Sequence, residues 1–204
     1  MAQISARTAK WAKWAVVTAA LLVSGLVVSQ ASYSAFNATT NNAGNSWASG
    51  SLALSNDSAA TSLFTATNIK PGDMGTKCIT ISSTANVAST LKLYAANYSK
   101  GTKNLGDRIN VTVTSGSFPA AAPANGSCTG FVTGTVAVPA TTSLTAFAAA
   151  STNYATGADS YALAAGGSRT YKIDWTFASL GTPAADNAYQ GDTASIGFTW
   201  ESQS

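Results

Sequence analysis

The 204-residue chain contains no histidine. This absence excludes Ser-His-Asp and Cys-His catalysis, and it excludes the HExxH helix of zinc peptidases. Glycosidase chemistry would need two carboxylates facing each other across a cleft. The acids of the last third are scattered, and Asp174 and Glu201 alternate with apolar residues, which predicts that both point to solvent. We therefore expect a protein that is not an enzyme and that needs no cofactor and no metal.

Charged side chains are also scarce, at 9% of residues, against about 25% in typical soluble domains. The net charge of +3 comes from 11 basic and 8 acidic residues. Arg7, Lys10 and Lys13 supply the whole excess, so the rest of the chain is neutral. A neutral domain has no electrostatic means of holding phosphate backbones, and nucleic acid is not an expected partner. Neutral copies also repel one another only weakly, which suits self-association.

No apolar run is long enough to span a bilayer. The run at 15–28 follows the three basic residues and is only ~14 residues long, whereas a spanning helix needs roughly 20. This pattern is typical of a signal peptide, with an N-terminal membrane anchor as the alternative. Small residues at positions 32 and 34 predict a cut between Ser34 and Ala35, and those at 29 and 31 allow a cut before Ser32. We expect residues 1–34 to be a cleaved signal helix, the chain's sole contact with a membrane, and the mature protein to be secreted to the matrix or cell surface.

Cysteine occurs only twice, at Cys78 and Cys128. An even count in an exported chain predicts one disulfide. Closing the loop between Cys78 and Cys128 stabilises the fold by about 4 kcal/mol in the chain-entropy model.

One oxygen-rich stretch, with Asp186 and Asp192, has ligand types that suit calcium. Its spacing fails the EF-hand pattern, and a polar turn is the simpler interpretation.

Alternation of apolar and polar residues runs through most of the chain after residue 47 and predicts strands at 77–82, 170–177 and 195–201, with a short strand closed by Val136 and Val138 before Pro139. Seven to nine short strands with one apolar face each predict an all-β fold, a two-sheet antiparallel sandwich in jelly-roll or other Greek-key order. A strand-like run extends from Leu63 to Ile69. Pro71 and Gly72 predict a tight turn. The spacing of Leu144, Phe147 and Ala148 predicts a short helix over 143–150.

Residues 35–46 are polar apart from Phe36 and are predicted to form a flexible arm ahead of a sandwich domain at 47–204. Sheet edges carry unpaired N–H and C=O groups that an extended segment of another chain can fill. We expect the arm to complete the sheet of the next subunit, with Phe36 as an apolar anchor; a disordered leader is the alternative. The predicted donor residues are Ala35, Phe36, Asn37, Ala38, Thr39 and Thr40.

Several motifs occur in an order that resembles the TasA/camelysin family. They are Ala35-Phe36-Asn37, the run from Asn45 to Leu54, the turn with Asn68, Pro71, Gly72 and Asp73, and later Cys128–Phe131, Ala155–Gly157, Gln190-Gly191 and Phe198–Glu201. The later motifs are similar to uncharacterised actinobacterial members. The resemblance implies a secreted β-sandwich released by a dedicated signal peptidase. Its best-known relative is a biofilm-matrix fibre subunit joined by an N-terminal donor strand, and another is described as a surface metalloprotease.

The leading hypothesis is therefore a structural protein that assembles head-to-tail outside the cell. Its partners would be further copies of itself, the signal peptidase, and an accessory assembly or anchoring protein. The alternative is a monomeric binding module for cell-wall or matrix glycan, whose sugar-facing aromatics would come from Tyr94, Tyr98, Tyr154 and Tyr161. A surface metalloprotease fits less well, because a chain without histidine offers no recognisable zinc motif.

Overall fold

The computed structural model describes the backbone of residues 37–41 and all atoms of residues 52–58 and 62–204. The described fold belongs to one compact unit, Phe36–Ser204. Its strands are β1 (Asn37–Asn41), β2 (Leu54–Asn56), β3 (Met74–Ser83), β4 (Ser89–Ser99), β5 (Ile109–Ser117), β6 (Val132–Ser143), β7 (Ala158–Leu163), β8 (Ser168–Phe177) and β9 (Ser195–Gln203). The helices are α1 (Leu144–Ala150) and α2 (Pro183–Asp186), with 3₁₀ turns at Leu105–Asp107, Ala124–Gly126 and Asn187–Tyr189.

The strands form two antiparallel sheets, as the sequence predicted. One sheet has the order β1-β9-β4-β7 and the other β2-β3-β8-β5-β6. Only β2–β3 and β5–β6 are neighbours both in sequence and in a sheet, so most connections cross from one sheet to the other. Connections of this kind are typical of the Greek-key topology of β-sandwiches. It brings the first and last strands together at one edge.

The core is built from the inward residues of both sheets. The alternating residues Ile79 and Ile81 in β3, Leu91 and Leu93 in β4, and Ile173 in β8 are fully buried. Burying side chains of this size contributes roughly 1.5–3 kcal/mol each. The strict period of two is the reason that these strands were predictable from sequence alone.

The predicted helix is present as α1. Ser143 is its N-cap, and the Ser143 hydroxyl accepts a hydrogen bond from the backbone N–H of Ala146. Leu144 and Phe147 face the core. Among the described residues, no helix has the length and apolar character that a membrane crossing requires.

The strands differ from the sequence prediction in three places. The run from Leu63 to Ile69 forms no strand, and Asn68 lies in the left-handed region with a φ of 54°. β6 is longer than the predicted pair of valines, and it carries no alternation of burial because its first five residues are all exposed. β7 was not predicted from the sequence, and its Asp159 lies in the left-handed region with a φ of 53°.

The Cys78–Cys128 disulfide joins β3 to the loop between β5 and β6, with the two Cα atoms 5.2 Å apart. The loop, residues 118–131, therefore crosses β8 to reach β3 before returning to β6. It also holds the sheet through Lys77, whose Nζ donates to the backbone oxygen of Asn125 at 2.9 Å. The pairing matches the prediction from the cysteine count.

Candidate assembly site

The sheet edge formed by β1 and β9 is the candidate assembly site. β1 pairs antiparallel with β9 in one continuous register, from Asn37 opposite Gln203 to Asn41 opposite Thr199. This strand lies within the segment that was predicted to be an arm. Ala35 and Phe36, and the predicted cleavage position at Ser34, lie outside the described residues.

The β1 segment was not recognisable as a strand because its residues are polar and lack alternation. Backbone hydrogen bonds hold such a strand, and each contributes about 0.5–1.5 kcal/mol whatever the side chains are. Pairing of this kind leaves no hydrophobic period in the sequence. The position of β1 follows from the strand order, in which β9 pairs with β4 on one side and offers its other side to β1.

β9 offers β1 a rigid support. Trp200 is fully buried and packs against Tyr171 of the opposite sheet, with ring centroids 5.5 Å apart. Phe198 lies 6.4 Å from Trp200 and 5.9 Å from Phe147 of α1. The edge that receives β1 is thus fixed by both sheets and by the helix.

Glu201 was predicted to point to solvent, but it is only 6% exposed. Its carboxylate accepts hydrogen bonds from the Tyr94 hydroxyl at 2.7 Å and from the Gln203 amide at 2.8 Å. Burial and the bond to this carboxylate together raise the pKa of Tyr94. Glu201 lies opposite Thr39 of β1 in the register of the sheet, while its carboxylate is held by Tyr94 of β4 and by Gln203.

In the described part of the chain, each sheet has one short strand at this side. β1 covers β9 only from Thr199 to Gln203, and β2 covers β3 only from Ile81 to Ser83. Beyond them a groove of about 950 Å³ extends between the sheets. Its apolar lining includes Leu63, Phe64, Ile69, Ile173, Trp175, Phe177, Ile196 and Phe198. The groove lies at the Ser195 end of β9, the opposite end from Asn37.

The family-like turn borders this groove. Gly72 has a φ of 92°, the value that favours glycine at the third position of the turn, and its N–H donates to the Phe177 oxygen at 2.8 Å. Asp73 accepts from the Lys70 N–H at 2.9 Å, and this bond, with the Lys70 ammonium 3.2 Å away, lowers the pKa of Asp73. With Asn68 and Pro71 also at the rim, the motif fixes the end of β8. In the described residues, the motif bonds to itself and to Phe177, so its role there is to hold the turn against the end of β8.

The two aspartates considered for calcium are used by the protein itself. Asp186 accepts from the Leu180 N–H and from the Ser179 hydroxyl, both at 2.7 Å, and these bonds lower its pKa. Asp192 accepts from the N–H groups of Lys103 at 2.9 Å and Leu105 at 3.0 Å. Within the part of the chain that the structure describes, no three acidic or cysteine side chains cluster as a metal ion would require.

The four tyrosines considered for glycan binding contact other groups of the protein. Tyr154 donates to the Thr90 oxygen at 2.8 Å, and Tyr98 hydrogen-bonds the Thr145 hydroxyl at 2.5 Å. Tyr161 lies under the guanidinium of Arg169, 4.2 Å from the ring centroid. The Tyr94 hydroxyl donates to Glu201, so each of the four tyrosines has a partner within the fold.

A family model described as "Camelysin metallo-endopeptidase" matches residues 9–204, which is nearly the whole chain. No curated protein matches the sequence. The family match agrees with the order of motifs found in the sequence.

Proposed function

This chain belongs to the camelysin family, and we propose that it is a secreted structural protein whose subunits polymerise by exchanging β1. The observation that carries the proposal is the β1–β9 pairing within one chain. A second copy presents the same five residues to the same edge, so β1 of one subunit can replace β1 of the next with the same hydrogen bonds. If each subunit gives β1 to the next one, the contact is head-to-tail, and it continues as a filament when the rotation between subunits does not close a ring.

The composition of β1 favours exchange over permanent docking. The sequence NATTN contains no large apolar residue. Its departure therefore uncovers little apolar surface, and the main loss is a set of backbone bonds that the incoming strand restores. Phe36, next to β1 in sequence, would add an apolar contact worth roughly 1.5–3 kcal/mol if it is buried in the neighbouring subunit.

We propose that the role is not enzymatic, although the family description names a metallo-endopeptidase. A chain with no histidine lacks the usual ligands of catalytic zinc. Secretion is part of the proposal, since the basic and apolar N-terminal pattern is that of a signal peptide and family members are extracellular.

Deletion of residues 35–42 tests the proposal. The expected result is a domain that keeps its β-type circular dichroism and forms no filaments in negative-stain microscopy. Filaments that persist after the deletion would place the contact elsewhere.

A disulfide lock tests the exchange itself. Asn41 and Thr199 are directly opposite in the β1–β9 register, so Asn41→Cys/Thr199→Cys oxidised as a monomer should be trapped in the self-paired state and should not polymerise until it is reduced. The same variant polymerised under reduction and then oxidised should give a covalent ladder of multimers on a denaturing gel. Each single cysteine variant is the control and should polymerise in both conditions. A locked monomer that still polymerises would exclude exchange of β1.

One observation favours a second candidate, a monomeric ligand-binding module. The groove beside the turn has the size of a small-ligand site, and Phe64 and Trp175 meet edge-to-face within it, with ring centroids 6.5 Å apart. Binding of the secreted protein to purified cell wall or matrix glycan, lost in Trp175→Ala, would support this candidate.

A further inference from the structure

The outer edge of β6 lies apart from β1 and has the features of a self-association surface. We propose that two copies pair antiparallel through the stretch Val132–Val138, here called the β6 edge, around a two-fold axis. Such a contact would join two subunits or two filaments side by side. It involves neither β1 nor β9, and it does not depend on polymerisation.

Among the strands that the structure describes, β6 is the longest of those at the end of a sheet. β6 is the last strand of its sheet and has twelve residues. At the other end of that sheet β2 has three residues, and in the second sheet the edge strand β7 has six, with a register shift in its pairing and Asp159 within it. Edge strands present a row of unpaired N–H and C=O groups, and proteins usually shield them by shortness, charge, bulges or proline.

The β6 edge has little of this shielding. All five residues from Val132 to Val136 are exposed. Pro139 removes one donor, but it lies just beyond the edge. Register shifts interrupt the β5–β6 ladder between Val111 and Gly116, so bulges, which β7 also has, are the one form of shielding within this edge.

Charge indicates that the partner is a second copy. No charged residue occurs between Arg108 and Asp159 in the sequence, so β6 and both of its flanking segments are neutral. Two identical edges can then approach without repulsion, whereas a charged partner finds no complementary group along this strand.

Exposed apolar side chains mark the same edge. The described residues include five exposed large hydrophobics, and two of them, Val132 and Val136, belong to the β6 edge with 53% and 54% of their surface exposed. Val136 shares its face with Thr114 of β5, which is its cross-strand partner. In an antiparallel pair of β6 edges these valines would be covered by the second copy, and burial of their apolar surface would stabilise the pair.

The test compares two valine-to-lysine variants of the full secreted protein. Val136→Lys places a charge on the β6 edge, and in a two-fold pair it appears twice. Val87→Lys is the matched control, because Val87 is also exposed, at 38%, but lies in the β3–β4 connection. Sedimentation velocity of unpolymerised protein and the width of negatively stained filaments are the two measurements.

Wild type and Val87→Lys should show concentration-dependent dimers, and paired filaments where filaments form. Val136→Lys should show neither dimers nor paired filaments, and its melting temperature should equal that of Val87→Lys. Thr135→Cys, at the midpoint of the edge, should form a disulfide-linked dimer on mild oxidation, and Val87→Cys should not. The proposal is overturned if wild type shows no dimers or pairs, if Val136→Lys associates as wild type does, or if the two cysteine variants cross-link equally. Wild type that forms the dimer but no filaments would instead count against the β1 proposal alone.

Discussion

Asp192 fastens the loop after β4 to the start of β9. Its carboxylate accepts from the N–H groups of Thr102, Lys103 and Leu105 at 2.9–3.0 Å. Burial raises the pKa of Asp192, but the hydrogen bonds from Leu105 and Lys103 outweigh it, so the pKa of Asp192 is lowered from its ordinary value of 3.8. A single carboxylate thus satisfies several backbone donors that would otherwise lack a partner.

Asp192→Asn should lower the melting temperature at neutral pH, because an amide has only one acceptor oxygen for these donors. The sign of the pH effect follows from the lowered pKa. The stabilisation is complete above pH 3.8 and is lost as pH falls through the lower pKa of the folded state, so the difference between variant and wild type should shrink in acid. Thermal melts between pH 2 and 7 measure it.

Asp174→Asn is the control for Asp192. The Asp174 carboxylate contacts the Thr76 hydroxyl at 2.6 Å and the Lys172 ammonium at 3.3 Å, both side-chain groups at the surface. We expect a smaller change in melting temperature. An equal loss in the two variants would mean that the backbone donors around Asp192 matter little.

At the scale of elements, the loop at 118–131 depends on the disulfide. Gly126, with a φ of 69°, lies where a Cβ would be 3.1 Å from the Lys77 side chain, so the loop is held close to β3. Phe131 packs edge-to-face on Phe118, 5.9 Å away. The disulfide adds a covalent constraint to these contacts.

Cys78→Ala/Cys128→Ala should lower the free energy of unfolding by about 4 kcal/mol, because the unfolded chain regains the freedom of a 50-residue loop. Urea unfolding of wild type and variant gives the difference. Wild type unfolded under reducing conditions is the control and should match the variant. A variant as stable as oxidised wild type, or two free thiols in the natively secreted protein, would contradict the prediction.

The sequence was most informative where one face of a strand is buried. β3, β8 and β9 were predicted from alternation, and the disulfide from the cysteine count. β1, β6 and β7 were missed or predicted only in part, because they lie at sheet edges, where backbone pairing needs no apolar side chain. Glu201 was misassigned because alternation gives the face of a residue but not what covers that face, here Tyr94 and Gln203.

The candidate site combines elements that are far apart in the chain, and this limited its prediction. The composition of residues 35–46 predicted an arm that adds to a sheet edge. Neither the composition nor the spacing indicated that the edge is β9 or that Asn37 pairs with Gln203. Such a register depends on the order of strands in the sheet, which short periodic segments do not determine.

At the scale of the whole molecule, export and assembly are predicted to be coupled through the N-terminus. A cut between Ser34 and Ala35 would leave β1 two residues from a free end, so the strand could leave its own sheet and enter another without threading a loop. An intact apolar segment at 15–28 would instead hold the chain at the membrane and tie down the same end of β1.

Ser32→Leu/Ser34→Leu should therefore block the first cut, since signal peptidases require small side chains at these two positions. The expected result is a cell-attached, unprocessed protein that forms no extracellular filaments, measured by N-terminal sequencing and by microscopy of the culture. Ser32→Ala/Ser34→Ala keeps the residues small and should be processed and polymerise as wild type does. If the leucine variant is released with a start at Ser32 and still forms filaments, the second cleavage position is used and the exact start does not limit exchange. Filaments of a variant that retains residues 1–34 would show that strand exchange needs no free N-terminus.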